Sequence, residues 1–262
     1  MAALGMRADQ LLVDRGLAAS RSQAQRLIAA GLSWRVGNGP WKAVARNRDE
    51  LPDAAELQLA DAAESRYVSR GGLKLEGALQ SSGVDPTGLV CLDVGQSTGG
   101  FTDCLLQHGA ARVVGVDVGH AQVHARVRED ERVHCIEGVN ARALEADDLG
   151  DELPEAGFGL IVGDLSFISL TLVLPAVAPL VKPGGHLLML VKPQFELQPG
   201  QVGKGGIVRD AAMYEIVEKR LRDACAALEL RVLRWFDSPI AGGDGNREFF
   251  IHAVRVARAD GS

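Results

Sequence analysis

The chain has 262 residues, 47% of them hydrophobic, so a full core is within reach and wholesale disorder is excluded. No apolar run approaches the roughly 18 residues a membrane span needs, and the opening Met-Ala-Ala-Leu-Gly-Met-Arg lacks the basic start and long apolar core of a secretory signal. The net charge of −6 hides a split: residues 1–48 hold eight Arg and Lys against Asp9 and Asp14, a net of +6, while the remaining 20 bases and 32 acids give −12.

A basic head on an acidic body is what contact with a polyanion requires of the head; an ordinary solvated surface is the competing explanation. Cys91, Cys104, Cys135 and Cys225 are scattered without a CxxC pair, which suits buried free thiols in a reducing cytoplasm and not a zinc site. His108, His120, His124 and His134 have no triad or metal spacing and read as surface residues.

The head, residues 1–64, reads as a small α+β domain. Arg7 to Arg15 predicts a short helix ended by Gly16. Ser20 and Gln23 have the spacing of a capping box for a second helix, stopped at Gly31, with Ala24, Leu27 and Ile28 as its apolar stripe. Arg21, Gln25 and Arg26 fall off that stripe and are free for a phosphate backbone. Strands are predicted at 32–36 and 56–60, with Gly37-Asn-Gly39 as a turn. Trp34 and Trp41 suit packing better than base stacking. Residues 61–65 read as a linker, and a helix follows that carries Leu73, Leu75, Ala78 and Leu79, with Lys74 among them.

The large domain, residues 65–262, alternates strands and helices as a parallel α/β sheet does. The first strand, 89–94, runs into Gly95, Gly99 and Gly100 and then a helix beginning near Phe101, the strand–glycine turn–helix pattern of a nucleotide-type cofactor site. The second strand ends in Asp117, 22 residues past Gly95, where a carboxylate accepts both hydroxyls of a ribose. That serves NAD and S-adenosylmethionine alike. The third strand, 133–137, is followed by Asn140, either an adenine contact or a turn residue. The fourth ends at Asp164. A helix over 170–181 is expected to stop at Pro183-Gly-Gly185, before an apolar strand, 186–191, that ends at Lys192. A lysine there is poorly explained as a solvated charge and belongs in the same cleft as Asp164. The glycine-rich 194–210 reads as a mobile lid or RNA-contact loop. A helix (213–228) and two strands (230–237 and 247–254) joined as a hairpin close the chain, with Glu248 at the start of the last. NAD domains close on a parallel strand instead.

Two resemblances attach to these residues. Arg7 to Gly31 resembles the start of the S-four-type RNA-binding module, which implies RNA contacts from Arg7, Arg15, Arg21, Arg26 and, beyond the module, Arg70. The ordered set Lys74, Asp164, Lys192 and Glu248 resembles the catalytic tetrad of FtsJ-like RNA 2′-O-methyltransferases. With Tyr67 to Lys74, Asp93 to Asp103, Gly163 to Ser169, Val191 to Glu196 and Gly203 to Asp210, nearly the whole chain is similar to the TlyA family, in which the two modules are fused. The resemblance implies a Rossmann-like class I fold, S-adenosylmethionine as cofactor, and methylation of cytidine 2′-hydroxyls in ribosomal RNA or ribosomal subunits in the cytoplasm, with no membrane or metal partner. It also implies cofactor contacts from Asp93, Gly95, Ser97, Gly99, Gly100, Phe101, Asp117, Asn140 and Asp164. Gln96 stands where the family has a small residue, and Gly119 to Gln122 is altered beyond the ribose acid. Whether Lys192 serves as a neutral base or as a cation is open. The rival readings are an inactive RNA-binding protein, a haemolysin and an NAD enzyme.

Overall fold

A computed structural model describes residues 5–18, 20–59 and 66–257. The chain divides into two compact units, Met1–Leu73 and Lys74–Ser262. The expected linker at 61–65 lies outside the described residues.

The small unit packs the helices Ala8–Asp14 and Arg21–Gly31 with five short strands: β1 (Gly5–Arg7), β2 (Leu32–Arg35), β3 (Lys42–Ala43), β4 (Glu50–Pro52) and β5 (Glu56–Leu59). β1 pairs with β4, and β2 lies between β3 and β5, every pair antiparallel. Its core is Leu11, Leu12, Ala24, Leu27, Ile28, Leu32 and Leu51. Gly16 closes the first helix with a φ of 69°. Ser20 Oγ accepts from Gln23 N at 3.3 Å at the start of the second, as its capping role requires. β1, β3 and β4 are two or three residues long, too short to leave a periodic trace, and the sequence did not announce them.

The large unit is built on a seven-stranded sheet: β6 (Val90–Val94), β7 (Arg112–Asp117), β8 (Val133–Glu137), β9 (Phe158–Gly163), β10 (Val181–Val191), β11 (Leu230–Asp237) and β12 (Phe249–Arg255), in the order β11-β12-β10-β9-β6-β7-β8. β6 to β10 are parallel, and β12 runs antiparallel between β10 and β11. The closing pair is therefore the expected hairpin. β9 is buried along its whole length, which is why it reads as an uninterrupted apolar run. On one face Leu92, Val94, Val114, Val116, Ile161, Met189 and Ile251 pack on Leu170, Val173, Leu174 and Val177 and on Val217, Leu221 and Cys225 of the helix Ala211–Ala227.

One boundary differs from expectation. The helix over 170–181 is an α-helix only at Leu170–Val177, followed by a tight turn at Ala178–Leu180, and β10 already begins at Val181. Pro183-Gly184-Gly185 does not stop a helix. It lies inside β10, where the pairing with β9 jumps from Val181↔Phe158 to His186↔Leu160. Proline has no N–H for a ladder and Gly184 has a φ of 73°, so this stretch is a bulge.

Candidate active site

β6 is flanked by β7 on one side and β9 on the other, so the strand order reverses at its carboxyl end. A crevice at such a switch point is where open α/β sheets bind ligands. The glycine turn fills that position. Gly95 and Gln96 both donate their N–H to Val116 O, at 2.9 and 3.1 Å. Gly95 has a φ of 84° and Gly99 one of 91°. A Cβ on Gly95 would stand 3.0 Å from the carbonyl oxygen of Asp164, so only glycine lets the turn lie this close to the end of β9. Asp117, at the end of β7, accepts from Ser97 N through Oδ2 and from Gly119 N through Oδ1, each at 2.7 Å. The carboxylate expected at a ribose also ties the turn to its neighbouring strand.

Gln96 has a structural explanation. Its side chain is buried, and Nε2 donates to Thr102 Oγ1 at 3.0 Å, which in turn donates to Asp93 Oδ2 at 2.7 Å. It occupies the space above Gly115 of β7, where a Cβ would come within 2.0 Å of Gln96 Cδ. The long side chain and the bare glycine are partners across two strands. The departure thus supports the turn from beneath.

Asp93 is fully enclosed, and burial pushes its carboxyl up to about 7, against the pull of the Thr102 hydroxyl. Oδ1 has no hydrogen-bond partner among the described residues. The Phe101 ring is buried and stacks on Phe250 with centroids 6.3 Å apart, so the ring itself builds the core. Gly100 is the first residue of the helix Gly100–Gln107. Asn140 is an exposed turn residue whose Oδ1 accepts from Arg142 N at 3.0 Å.

Lys74, Asp164, Lys192 and Glu248 come together at the same rim. Asp164 follows β9 and Lys192 follows β10, and the pairing Val191↔Phe249 sets Lys192 beside the residue that precedes β12, Glu248. Lys192 Nζ is 2.6 Å from Asp164 Oδ1 and donates to Ser166 Oγ at 2.8 Å. Lys74 Nζ, on the helix Gly71–Ser82, is 2.6 Å from Glu248 Oε2, with both side chains buried. Burial raises the Glu248 carboxyl above its usual range, and Lys74 and Lys192 hold it down in part, so both ammonium groups act on it at once.

Sequence reasoning missed two rim residues. Ser166 shares Lys192, and nothing in its identity announces that. Phe167 is 90% exposed with a φ of 64°, a strained conformation for an aromatic residue, and its ring lies 5.0 Å from that of Phe195. In the stretch expected as a lid or RNA-contact loop, 194–210, buried Asn246 accepts from Val208 N and donates to Gly206 O, each at 2.9 Å.

In the small unit the expected RNA-binding arginines divide. Arg15 is exposed, its guanidinium donating to Ala55 O and Asp53 O at 2.5 Å each. Arg7 is held by Asp9 through Nε and Nη2, at 3.0 and 2.8 Å. Arg21 is exposed, while Arg26 and Arg70 are half-buried. Trp34 packs against the core as expected, but Trp41 is 42% exposed beneath Arg35.

The FtsJ-like methyltransferase family matches residues 67–255. The 16S/23S rRNA (cytidine-2′-O)-methyltransferase TlyA of Mycobacterium tuberculosis is 41% identical over 94% of this chain and 88% of its own length. This chain belongs to the TlyA family of FtsJ-like methyltransferases. Hemolysin A of Brachyspira hyodysenteriae is a relative too, 36% identical over 95% of this chain and all of its own. Among solved structures, an S-adenosylmethionine dependent methyltransferase from Mesorhizobium loti shares the fold, with a TM-score of 0.50 and 16% identity over 70% of this chain and 98% of that one. In this TlyA-family chain no helix among the described residues is long and apolar enough to cross a membrane. No group of three or more metal-ligating side chains is found there either.

Proposed function

We propose that this chain methylates ribose 2′-hydroxyls of ribosomal RNA, with cytidine as the nucleotide and S-adenosylmethionine as the donor. The observation that carries the reading is the convergence of two lysines and two carboxylates beside a glycine turn at the switch point of the sheet. The name of the Mycobacterium tuberculosis relative supports the substrate.

The residues present fit the cofactor. Asp93 has an unpartnered buried oxygen that suits an amino-acid ammonium, Asp117 suits a ribose diol, and the bare backbone at Gly95 and Gly99 suits close approach. When bound, S-adenosylmethionine supplies an already activated methyl group. The protein's task is then alignment and help for a weak nucleophile. An ammonium has three N–H donors. Lys192 donates one to Ser166 Oγ and forms an ion pair with Asp164, and a remaining N–H serves the 2′-oxygen and favours its alkoxide character. The carboxylates around Lys192 take the hydroxyl proton, and burial raises the proton affinity of Glu248. Lys74 holds Glu248 in place.

Purified protein incubated with ribosomal subunits and labelled cofactor should place label on 2′-O-methyl nucleotides at discrete positions. Label absent from RNA, or found only on bases, would refute the proposal.

The enclosed Asp93 makes a separate prediction. Its folded pKa, about 7, lies above the ordinary 3.8, so the native state binds more protons than the unfolded state between those values. Stability is therefore greatest below about pH 4 as far as this group is concerned and is lost as pH rises toward 7, by a few kcal/mol at most. Asp93→Asn should remove that slope in urea unfolding at pH 5 and pH 8, and should weaken cofactor binding by calorimetry. A variant with unchanged pH dependence would show that Asp93 titrates normally.

Phe167 stands at the mouth of the site with its ring in solvent. Stacking on an unpaired base contributes roughly 1–3 kcal/mol. Phe167→Ala should cut kcat/KM for ribosomal subunits by about tenfold or more, with the thermal midpoint unchanged. Equal kcat/KM in the two proteins would exclude a substrate contact.

A further inference from the structure

β9 ends at Gly163, and the chain then crosses the rim as a short bridge, 164–169, before the helix Leu170–Val177. The bridge is anchored at both ends. At one, Asp164 N donates to Val94 O at 3.3 Å, and Gly95 lies so close that a Cβ there would stand 3.0 Å from both Asp164 O and Leu165 Cδ2. At the other, Ser169 Oγ donates to Glu196 Oε2 at 2.5 Å and Leu170 N to Glu196 Oε1 at 2.7 Å. Glu196 is buried and closes the helix Pro193–Glu196, which starts directly after Lys192. Bridge and lysine are therefore set against one another by groups outside the chemistry. On the bridge only Ser166 and Phe167 are exposed, and Phe167 holds its strained backbone there.

A serine hydroxyl has one O–H and two lone pairs. Lys192 Nζ donates to Ser166 Oγ at 2.8 Å and so occupies a lone pair. The Ser166 proton has to turn away from the ammonium, and no group among the described residues accepts it. Ser166 is exposed, so that proton is left for whatever enters the cleft beside Lys192. The N–H bonds of an ammonium diverge tetrahedrally, so an oxygen taken by another N–H of Lys192 lies about 4–5 Å from Ser166 Oγ, beyond a hydrogen bond. The acceptor for Ser166 is then a neighbour of that oxygen.

We infer that the Ser166 hydroxyl contacts the target nucleotide directly, donating to a sugar–phosphate oxygen that adjoins the reacting 2′-oxygen. The inference rests on the proposed ribose methylation. Ser166 neither gives up its proton nor receives one. It holds the nucleotide at a second point, and two points fix the angle at which the 2′-oxygen meets the methyl group where one does not.

The test compares single-turnover transfer to saturating ribosomal subunits, with cofactor in excess, in wild type, Ser166→Ala, Ser166→Thr, Lys192→Ala and Ser166→Ala/Lys192→Ala. Ser166→Ala should slow transfer about tenfold, the loss of one hydrogen bond to a charged or polarised oxygen. Ser166→Thr keeps the hydroxyl and should stay within about threefold of wild type. The double variant separates contact from support. If Ser166 touches the nucleotide, its removal slows Lys192→Ala by about tenfold again. If it only holds Lys192, its removal from Lys192→Ala changes nothing, and the inference falls while the methylation reading stands. A Ser166→Ala rate within about twofold of wild type overturns the inference in the same way. Ser166 is exposed, so the thermal midpoint stays the same in its variants and a folding defect is detected directly. Wild type that places no methyl group on ribosomal RNA overturns both readings.

Discussion

Lys192→Ala lowers the rate of methyl transfer to ribosomal RNA by about 10³-fold, within the range positioned acid–base and electrostatic groups supply. Cofactor binding is retained, because the groups that fit the cofactor are Asp93, Asp117 and the bare backbone at Gly95 and Gly99, not Lys192. Its known contacts are Asp164 and Ser166. Single-turnover transfer with saturating subunits isolates the chemical step, and calorimetry reports the cofactor. Lys192→Arg sharpens the result. Arginine keeps the charge and cannot give up its proton, so residual transfer above the alanine variant assigns Lys192 a cationic role, while equality with alanine assigns it proton transfer. An alanine variant within threefold of wild type would remove Lys192 from the mechanism.

Lys74→Met acts through stability as well as activity. It leaves Glu248, almost wholly buried, without the ammonium 2.6 Å away. Removing one member of a buried pair typically costs about 3–5 kcal/mol, because the other charge stays uncompensated. The sign of the pH dependence follows. Burial already holds the Glu248 carboxyl above its usual range, and Lys74 is the largest opposing influence, so its loss raises the folded pKa further. Stability is then retained at low pH, where Glu248 is protonated, and lost as pH rises through the raised value. The deficit in urea unfolding should be smaller at pH 5 than at pH 8. Adding Glu248→Gln should recover most of the stability and none of the activity. A Lys74→Met protein with a wild-type urea midpoint at pH 8 would mean that the pair is not enclosed in solution.

What the chain disclosed beforehand follows from how locally each feature is encoded. β6, its glycine turn and β9 were legible because an apolar run and three glycines are contiguous. Lys192 was legible because a charge at the end of a buried strand is anomalous wherever it falls. The Lys74–Glu248 ion pair was not foreseen: the resemblance named both residues, but one stands on the helix Gly71–Ser82 and the other before β12, far apart in sequence. Gln96 looked like a defect in the turn because its partner, Gly115, is on the next strand. The hydrogen bonds of Arg15 were not foreseen because its acceptors, the carbonyls of Asp53 and Ala55, carry no sequence signal.

The bulge in β10 bears on how this site tolerates change over evolutionary time. Between Val181 and His186 four residues of β10 run opposite one of β9, Gly159, and from His186 onward the strands proceed one for one. That unmatched stretch is slack in the coupling. A residue gained or lost before it shifts the loop of Pro183 and Gly184 outward or inward and is not passed along the strand. The position of Lys192 against Asp164 is written in the last six residues alone, so the chain upstream can drift in length while the reacting groups keep their alignment.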